Sequence, residues 1–266
     1  METRARKRET GLGLLATFTR KAYTLFSVAH SALLVSQDGV EWRSMMHTER
    51  RRYLELKSAL AFKPEIVVYD IGANVGEFTS FVRKAPSVSE IYCFEPVPQA
   101  FDRLVENTRY LKRVRCFNVA LGSSTGTRKM YVNHSSPSSS LLPMRPVHAE
   151  EFPSTDRSYE IDVQVTDLRE IVRRYGLSPP DFIKLDVQGF EDRVINGGAD
   201  IVKKAGYCML ELSLLKLYED SALITDVNEL MRALGFHLVA IVHNVVGKSG
   251  EILQIDGLYK NERISG

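Results

Sequence analysis

The chain has 266 residues, 44% of them hydrophobic and 26% charged, with 17 Gly and 10 Pro, which excludes disordered, collagen-like and low-complexity proteins. That length fits one α/β domain with an appendage, or two small domains. Lys and Arg number 35 against 33 Asp and Glu, and a net charge of +2 is too balanced for a protein that tracks nucleic-acid phosphates.

The N-terminus imitates a signal peptide. Arg4, Arg6, Lys7 and Arg8 precede the apolar stretch Gly11 to Thr19, but Arg20 and Lys21 break it and no small-residue cleavage site follows. The uncharged run from Ala22 to Gln37 carries Ser, Thr and His and falls short of the roughly 20 apolar residues of a spanning helix. Leu12, Leu15, Phe18, Ala22, Leu25, Ala29 and Leu33 recur every three or four residues, the stripe of an amphipathic helix. Such a helix either docks on the body of the protein or, being basic at its start, makes peripheral contact with an anionic membrane through residues 1–35. A second helix is expected from Glu49 to Ala61, ahead of Pro64. Residues 1–62 are therefore read as an N-terminal helical cap.

From residue 63 to 266 the pattern alternates between strands and helices. Ile66 to Ile71, Ile91 to Phe94 and Val114 to Val119 read as strands, separated by helices at Glu77 to Lys84 and Gln99 to Leu111. Lys129 to Val132 and Tyr159 to Val165 read as strands flanking a Ser/Pro-rich loop, residues 133–157, which serves as a solvated connector or a flap over substrate. Alternation then resumes with helix Asp167 to Tyr175, strand Phe182 to Val187, helix Phe190 to Asn196, strand Tyr207 to Leu212 and helix Asp226 to Leu234. Phe236 to Val242 and Ile252 to Tyr259 close as an antiparallel hairpin around Gly247 to Gly250. The expected fold is α/β, a seven-stranded, mostly parallel sheet with a C-terminal antiparallel hairpin. Cys93, Cys116 and Cys208 lie far apart in apolar runs and read as buried free thiols of a reducing cytoplasm.

Asp70-Ile71-Gly72-Ala73-Asn74-Val75-Gly76 stands where a strand hands over to a helix. It matches G-x-G-x-x-G only loosely, with Asn74 near the position where a dinucleotide loop lets its backbone approach a pyrophosphate. An acid at Asp70 suits phosphates poorly. It suits S-adenosylmethionine, whose amine could pair with Asp70 and whose carboxylate could take backbone N–H groups. Glu95, 25 residues after Asp70, ends the next strand, where an acid can accept bonds from both ribose hydroxyls.

Four segments in order, Val68 to Gly76, Cys93 to Pro96, Asn118 to Gly122 and Phe182 to Glu191, resemble the FkbM family of S-adenosylmethionine-dependent methyltransferases. The resemblance runs from about Val67 to Val239 and leaves out the first sixty residues; Gln188 stands where many members have Glu, and Glu211-Leu212-Ser213 with Leu217-Tyr218 resembles one branch. It implies a Rossmann-like class I fold and O-methylation of a hydroxyl on a sugar, glycolipid or polyketide-type natural product. It also implies a cofactor site at Asp70, Gly72, Asn74, Gly76 and Glu95, with Asn118 and Ala120 beside the adenine.

Methyl transfer to an alcohol is an in-line displacement in which the hydroxyl must lose its proton. Asp186, at the carboxyl end of the fourth parallel strand, is the candidate base; orienting substrate or pairing with Lys184 are its other readings. Glu211, ending the fifth, is a second candidate, and His134 and His243 are weaker ones. Glu191 opens a helix, where a carboxylate suits the dipole. No metal is expected, since no ligand spacing stands out. Pro179-Pro180 is read as an entry turn to the Phe182 strand rather than part of a base-methylating motif, so nucleic acid is not expected as substrate. A nicotinamide oxidoreductase and a non-catalytic cofactor-binding module are the competing functions. Acceptor identity and oligomeric state are not legible.

Overall fold

The computed structural model describes residues 47–133, 138–152 and 158–264, with side chains from Leu54 onward. The N-terminal amphipathic stripe, the membrane contact expected of residues 1–35, and His134 lie outside the described residues. The chain divides into two compact units, Met1–Glu55 and Leu56–Gly266. Of the first, only the beginning of helix α1 (His47–Leu60) is described.

In the second unit the strands are β1 (Ile66–Ile71), β2 (Val88–Phe94), β3 (Val114–Phe117), β4 (Ala120–Gly122), β5 (Gly126–Asn133), β6 (Ser158–Asp167), β7 (Phe182–Leu185), β8 (Tyr207–Ser213), β9 (Phe236–Val246) and β10 (Ile252–Asn261). The further helices are α2 (Glu77–Val82), α3 (Pro98–Thr108), α4 (Pro146–Glu151), α5 (Leu168–Tyr175), α6 (Glu191–Gly197), α7 (Ala199–Val202) and α8 (Ile224–Ala233). Seven strands form the main sheet in the order β3-β2-β1-β7-β8-β10-β9. The first five are parallel; β10 runs antiparallel to both β8 and β9. This is the Rossmann-like sheet with a terminal hairpin that the alternation implies.

Nearly continuous burial along β1, β7 and β8 follows from helices on both faces. On one face Tyr69, Ile71, Leu185, Leu210 and Leu212 join Leu168 of α5, Val194 of α6 and Met231 of α8 in the main core. On the other, Phe78 of α2 stacks on Phe182 with ring centroids 6.0 Å apart. Each such side chain contributes about 1.5–3 kcal/mol on full burial. Two sequence features place helix starts: Pro98 occupies the first turn of α3, where its missing N–H costs nothing, and Asp167 caps α5 by accepting from the Glu170 N–H at 2.8 Å.

The middle of the chain differs from expectation. The segments around residues 129–132 and 159–165 are longer strands, β5 and β6, which pair with each other and with the short β4 in a separate sheet of order β4-β6-β5. Val97, Ala120, Met130, Val132, Val163 and Val165 give this sheet its own apolar core. The Ser/Pro segment is not one open loop: it holds α4, and Ser140 forms a β-bridge to Tyr131. Pro179-Pro180 does lead into β7 at the amino edge of the sheet, where the Asp181 carboxylate accepts from the Val67 N–H at 2.9 Å. No helix among the described residues is long and apolar enough to cross a membrane.

Candidate active site

The loops leaving β1, β2 and β7 meet at the carboxyl edge of the main sheet. After β1 the chain turns through left-handed conformations at Gly72, Asn74 and Gly76. Gly72 is required there: a Cβ would stand 1.8 Å from the Asp186 carbonyl oxygen, and φ is +77°. The Asp186 N–H in turn donates to the Ile71 carbonyl at 3.0 Å, so the β1 and β7 loops are joined backbone to backbone. On the other side, the Gly72 and Ala73 N–H groups both donate to the Phe94 carbonyl.

Glu95 latches this loop. One carboxylate oxygen accepts from the Asn74 N–H at 2.8 Å and the other from the Val97 N–H at 2.9 Å. Burial pushes its carboxyl up to about 7, against the pull of those two N–H groups and of Lys184. Each oxygen keeps a lone pair for a further donor.

Asp70 is placed differently from its sequence reading. The sequence reading has it pair with the amine of S-adenosylmethionine, yet it is fully buried beneath the loop. The Thr79 hydroxyl donates to its Oδ2 at 2.7 Å, and Lys184 Nζ lies 3.7 Å from its Oδ1, which has no hydrogen-bond partner. The cause is register: Lys184 is the β7 partner of Asp70, so the two side chains share a face and the buried charges pair. Lys184 Nζ also reaches the Gly72 carbonyl at 3.2 Å and Asp186 Oδ2 at 3.1 Å. Burial opposes its ammonium, but Asp186 and Asp70 outweigh that and raise its pKa.

Asp186 thus forms the Lys184 pair that was one of its readings, and it also stands open, with 32% of its side chain exposed. Its Oδ1 accepts from Gln188 Nε2 at 2.9 Å; the same amide nitrogen donates to Glu211 Oε2 at 2.7 Å. The amide oxygen of Gln188 accepts from the Tyr218 hydroxyl at 2.8 Å. Gln188 adopts φ +55°, a costly conformation for a residue with a side chain, and these bonds hold it there, together with one from the Ser140 hydroxyl to its carbonyl at 2.7 Å. Gly189, at φ +92°, follows because a Cβ would approach Ser221 at 2.9 Å. Burial, and then Asp186, Glu191 and Asp256, hold the Glu211 carboxyl well above the usual range.

The remaining candidates separate. Glu191 accepts from the Val187 and Gly189 N–H groups and closes the β7 loop, and burial pushes its carboxyl up to about 7. Asn118 is exposed, its amide donating to the Glu95 and Pro96 carbonyls at 2.9 and 3.1 Å. Ala120 opens β4 two residues after Asn118 and is buried beside Val97 in the core of the small sheet. His243 is exposed on β9, opposite Asp256. Among the described residues no group of three or more His, Cys, Asp or Glu is arranged to hold a metal ion. Sequence reasoning missed the Gln188 amide, the Tyr218 hydroxyl and Ser140 as site groups. A non-glycine residue between Asp186 and Gly189 in a strand-to-helix turn was the available signal for Gln188.

The family profile described as the methyltransferase FkbM domain matches residues 70–238. The chain belongs to this methyltransferase family. It is 30% identical over 189 residues to the 2-O-methyltransferase NoeI of Sinorhizobium fredii (strain NBRC 101917 / NGR234), covering 68% of this chain and 76% of that relative. It is 24% identical to the 31-O-demethyl-FK506 methyltransferase FkbM of Streptomyces tacrolimicus, covering 70% and 78% of the two chains. Among solved structures it is similar to the methyltransferase FkbM of Methylobacillus flagellatus KT, at 15% identity and a TM-score of 0.47, covering 74% of this chain and 44% of that one. As an FkbM-family methyltransferase, the chain has its matched region beginning at Asp70 and spanning every loop that meets at this edge.

Proposed function

We propose that the protein transfers a methyl group from S-adenosylmethionine to a hydroxyl of a sugar or related natural-product scaffold, with Asp186 as the general base. The observation that carries this reading is Asp186 itself. It is a partly exposed carboxylate, fixed by Lys184 and Gln188, at the point where the β1 and β7 loops touch.

The residues present fit the cofactor. Glu95 offers free lone pairs to ribose hydroxyls, whereas the Gly72, Ala73, Asn74 and Gly76 N–H groups are already bonded to Phe94, Glu95 and Ala73, so they are not free to take the cofactor's carboxylate as the sequence reading has it. Lys184, the cation beneath the loop, is committed to Asp70 and Asp186 and is not available to a pyrophosphate, which counts against a nicotinamide dinucleotide. When bound, S-adenosylmethionine supplies an electrophilic methyl group on a sulfonium leaving group. Asp70 acts from below, through Lys184, rather than by touching the ligand. Asp186 accepts the acceptor hydroxyl's proton as its oxygen bonds to carbon, while Lys184 and Gln188 keep the carboxylate aimed. Two curated relatives are named for O-methylation, which supports oxygen as the receiving atom.

Equilibrium binding of S-adenosylmethionine against NAD, followed by mass spectrometry for a methylated product, tests the assignment. Tight NAD binding with none of the methyl donor would overturn it.

A further inference from the structure

Lys184 of β7 registers with Met209 of β8, and strand alternation therefore puts Glu211 and Ser213 on the same sheet face as Lys184. Across β8 and β10, Glu211 is opposite Asp256 and Ser213 is opposite Gln254, so these four side chains form a polar patch. The other face at the same level is apolar: Leu212 and Ile255 belong to the main core. The patch lies at the carboxyl end of β8 and is joined to Asp186 through the Gln188 amide.

Within it, Gln254 is 6% exposed and its Nε2 has no hydrogen-bond partner. A buried amide donor left unpaired is costly, and native proteins keep such groups where a ligand or water completes them. Nothing in the Asp186 chemistry or the cofactor loop uses Gln254. Ser213 beside it is 5% exposed, and Glu211 has a carboxylate oxygen beyond the one bonded to Gln188.

The geometry points to Gln254, with Ser213 and Glu211, as the acceptor subsite, seating a neutral polyhydroxylated ring, a hexopyranoside, whose oxygen takes the Gln254 amide N–H. This inference rests on the methyl-transfer reading and narrows it: an apolar polyketide face placed here would leave Gln254 unpaired, whereas a sugar carries an oxygen on nearly every ring carbon. A site built to bond a hydroxyl rejects the analogue lacking it far more strongly than an apolar pocket rejects an added one. Gln254 is thus a specificity-determining residue two strands away from the base.

The test uses the full chain with S-adenosylmethionine and aryl glycosides of neutral hexoses, deoxyhexoses and N-acetylhexosamines. Aryl ethers of cyclohexanediol serve as ring analogues poor in oxygen. Product is read by mass spectrometry and cofactor affinity by calorimetry. At least one glycoside is expected to be methylated in preference to the cyclohexanediol ethers. Gln254→Leu should raise the KM for that glycoside about 10–100-fold, with kcat within about threefold and cofactor affinity unchanged. Gln254→Met, which keeps the length and removes the donor without adding charge, should show the same KM defect and guards against a misfolded Leu variant. An unchanged KM in both variants, a preference for the cyclohexanediol ethers, or cofactor binding without turnover of any glycoside would each overturn the subsite. Failure of the wild-type chain to bind the methyl donor would overturn the methyl-transfer reading itself, a result distinct from these.

Discussion

At the β1–β2 corner of the sheet edge, Glu95 gives an oxygen to each of two backbone N–H groups, and Asp70 is sealed beneath the loop with Thr79 and Lys184. At the β7–β8–β10 corner, Asp186 is partly open and Gln254 has a donor with no partner. In the first corner the loop is braced by the protein's own backbone before any ligand arrives, as suits a group that is the same in every turnover. The second leaves side-chain capacity unused, as suits a group that must be selected. Preorganisation and selectivity have been assigned to different strands of one edge, and Lys184 is the side chain that couples them.

Five substitutions break or sharpen that contrast, the largest effect first. Asp186→Asn should lower turnover by about 10²–10⁴-fold while cofactor affinity stays near that of the wild type, measured by single-turnover kinetics and calorimetry. Equal losses in both would mean that the two corners are not separable. Lys184→Met leaves the buried Asp70 carboxylate without its cation and should cost about 3–5 kcal/mol of stability in denaturant titration. Adding Asp70→Asn should restore most of that loss.

Glu95 gives a pH signature. Its native carboxyl titrates at about 7, whereas an unfolded one titrates near ~4.3. Between those values the native state holds a proton that the unfolded chain has released, so the unliganded protein's stability falls as pH rises through that window. Ligand binding runs the other way. Ribose hydroxyls donate more strongly to the ionised form, so cofactor affinity should climb roughly tenfold as pH passes about 7 and then level off. Glu95→Gln should flatten that profile. The smallest effect is expected from Asn118→Ala, which removes two exposed bonds to the Glu95–Pro96 turn and should cost about 0.5–1.5 kcal/mol of stability.

Much of the fold was legible because β-branched runs and glycine turns alternate cleanly in the parallel half. Ile66 to Ile71 is read from sequence with the bounds that β1 has, and the closing hairpin is found in place. The three-residue β4 was not legible, since Ala120-Leu121-Gly122 is too short to carry a period. Within the site, single-sequence reasoning located the acids but not their burial. Asp70 and Lys184 are 114 residues apart, and only the β1–β7 register makes them neighbours. Gln254 was invisible for the same reason: in a strand read only as the end of a hairpin, one polar residue looks like the solvent-facing half of an alternation.

The strand order has a consequence for biosynthesis. β10 follows β9 in the chain, yet it stands inside the sheet between β8 and β9. β9 therefore leaves the ribosome before the strand that will bridge it to the rest, and must wait while residues 252–261 emerge and slot into the gap. The β1–β2–β7 part of the edge can therefore form while β10 is still being made, but the β8–β10–β9 part closes only once residues 252–261 have emerged.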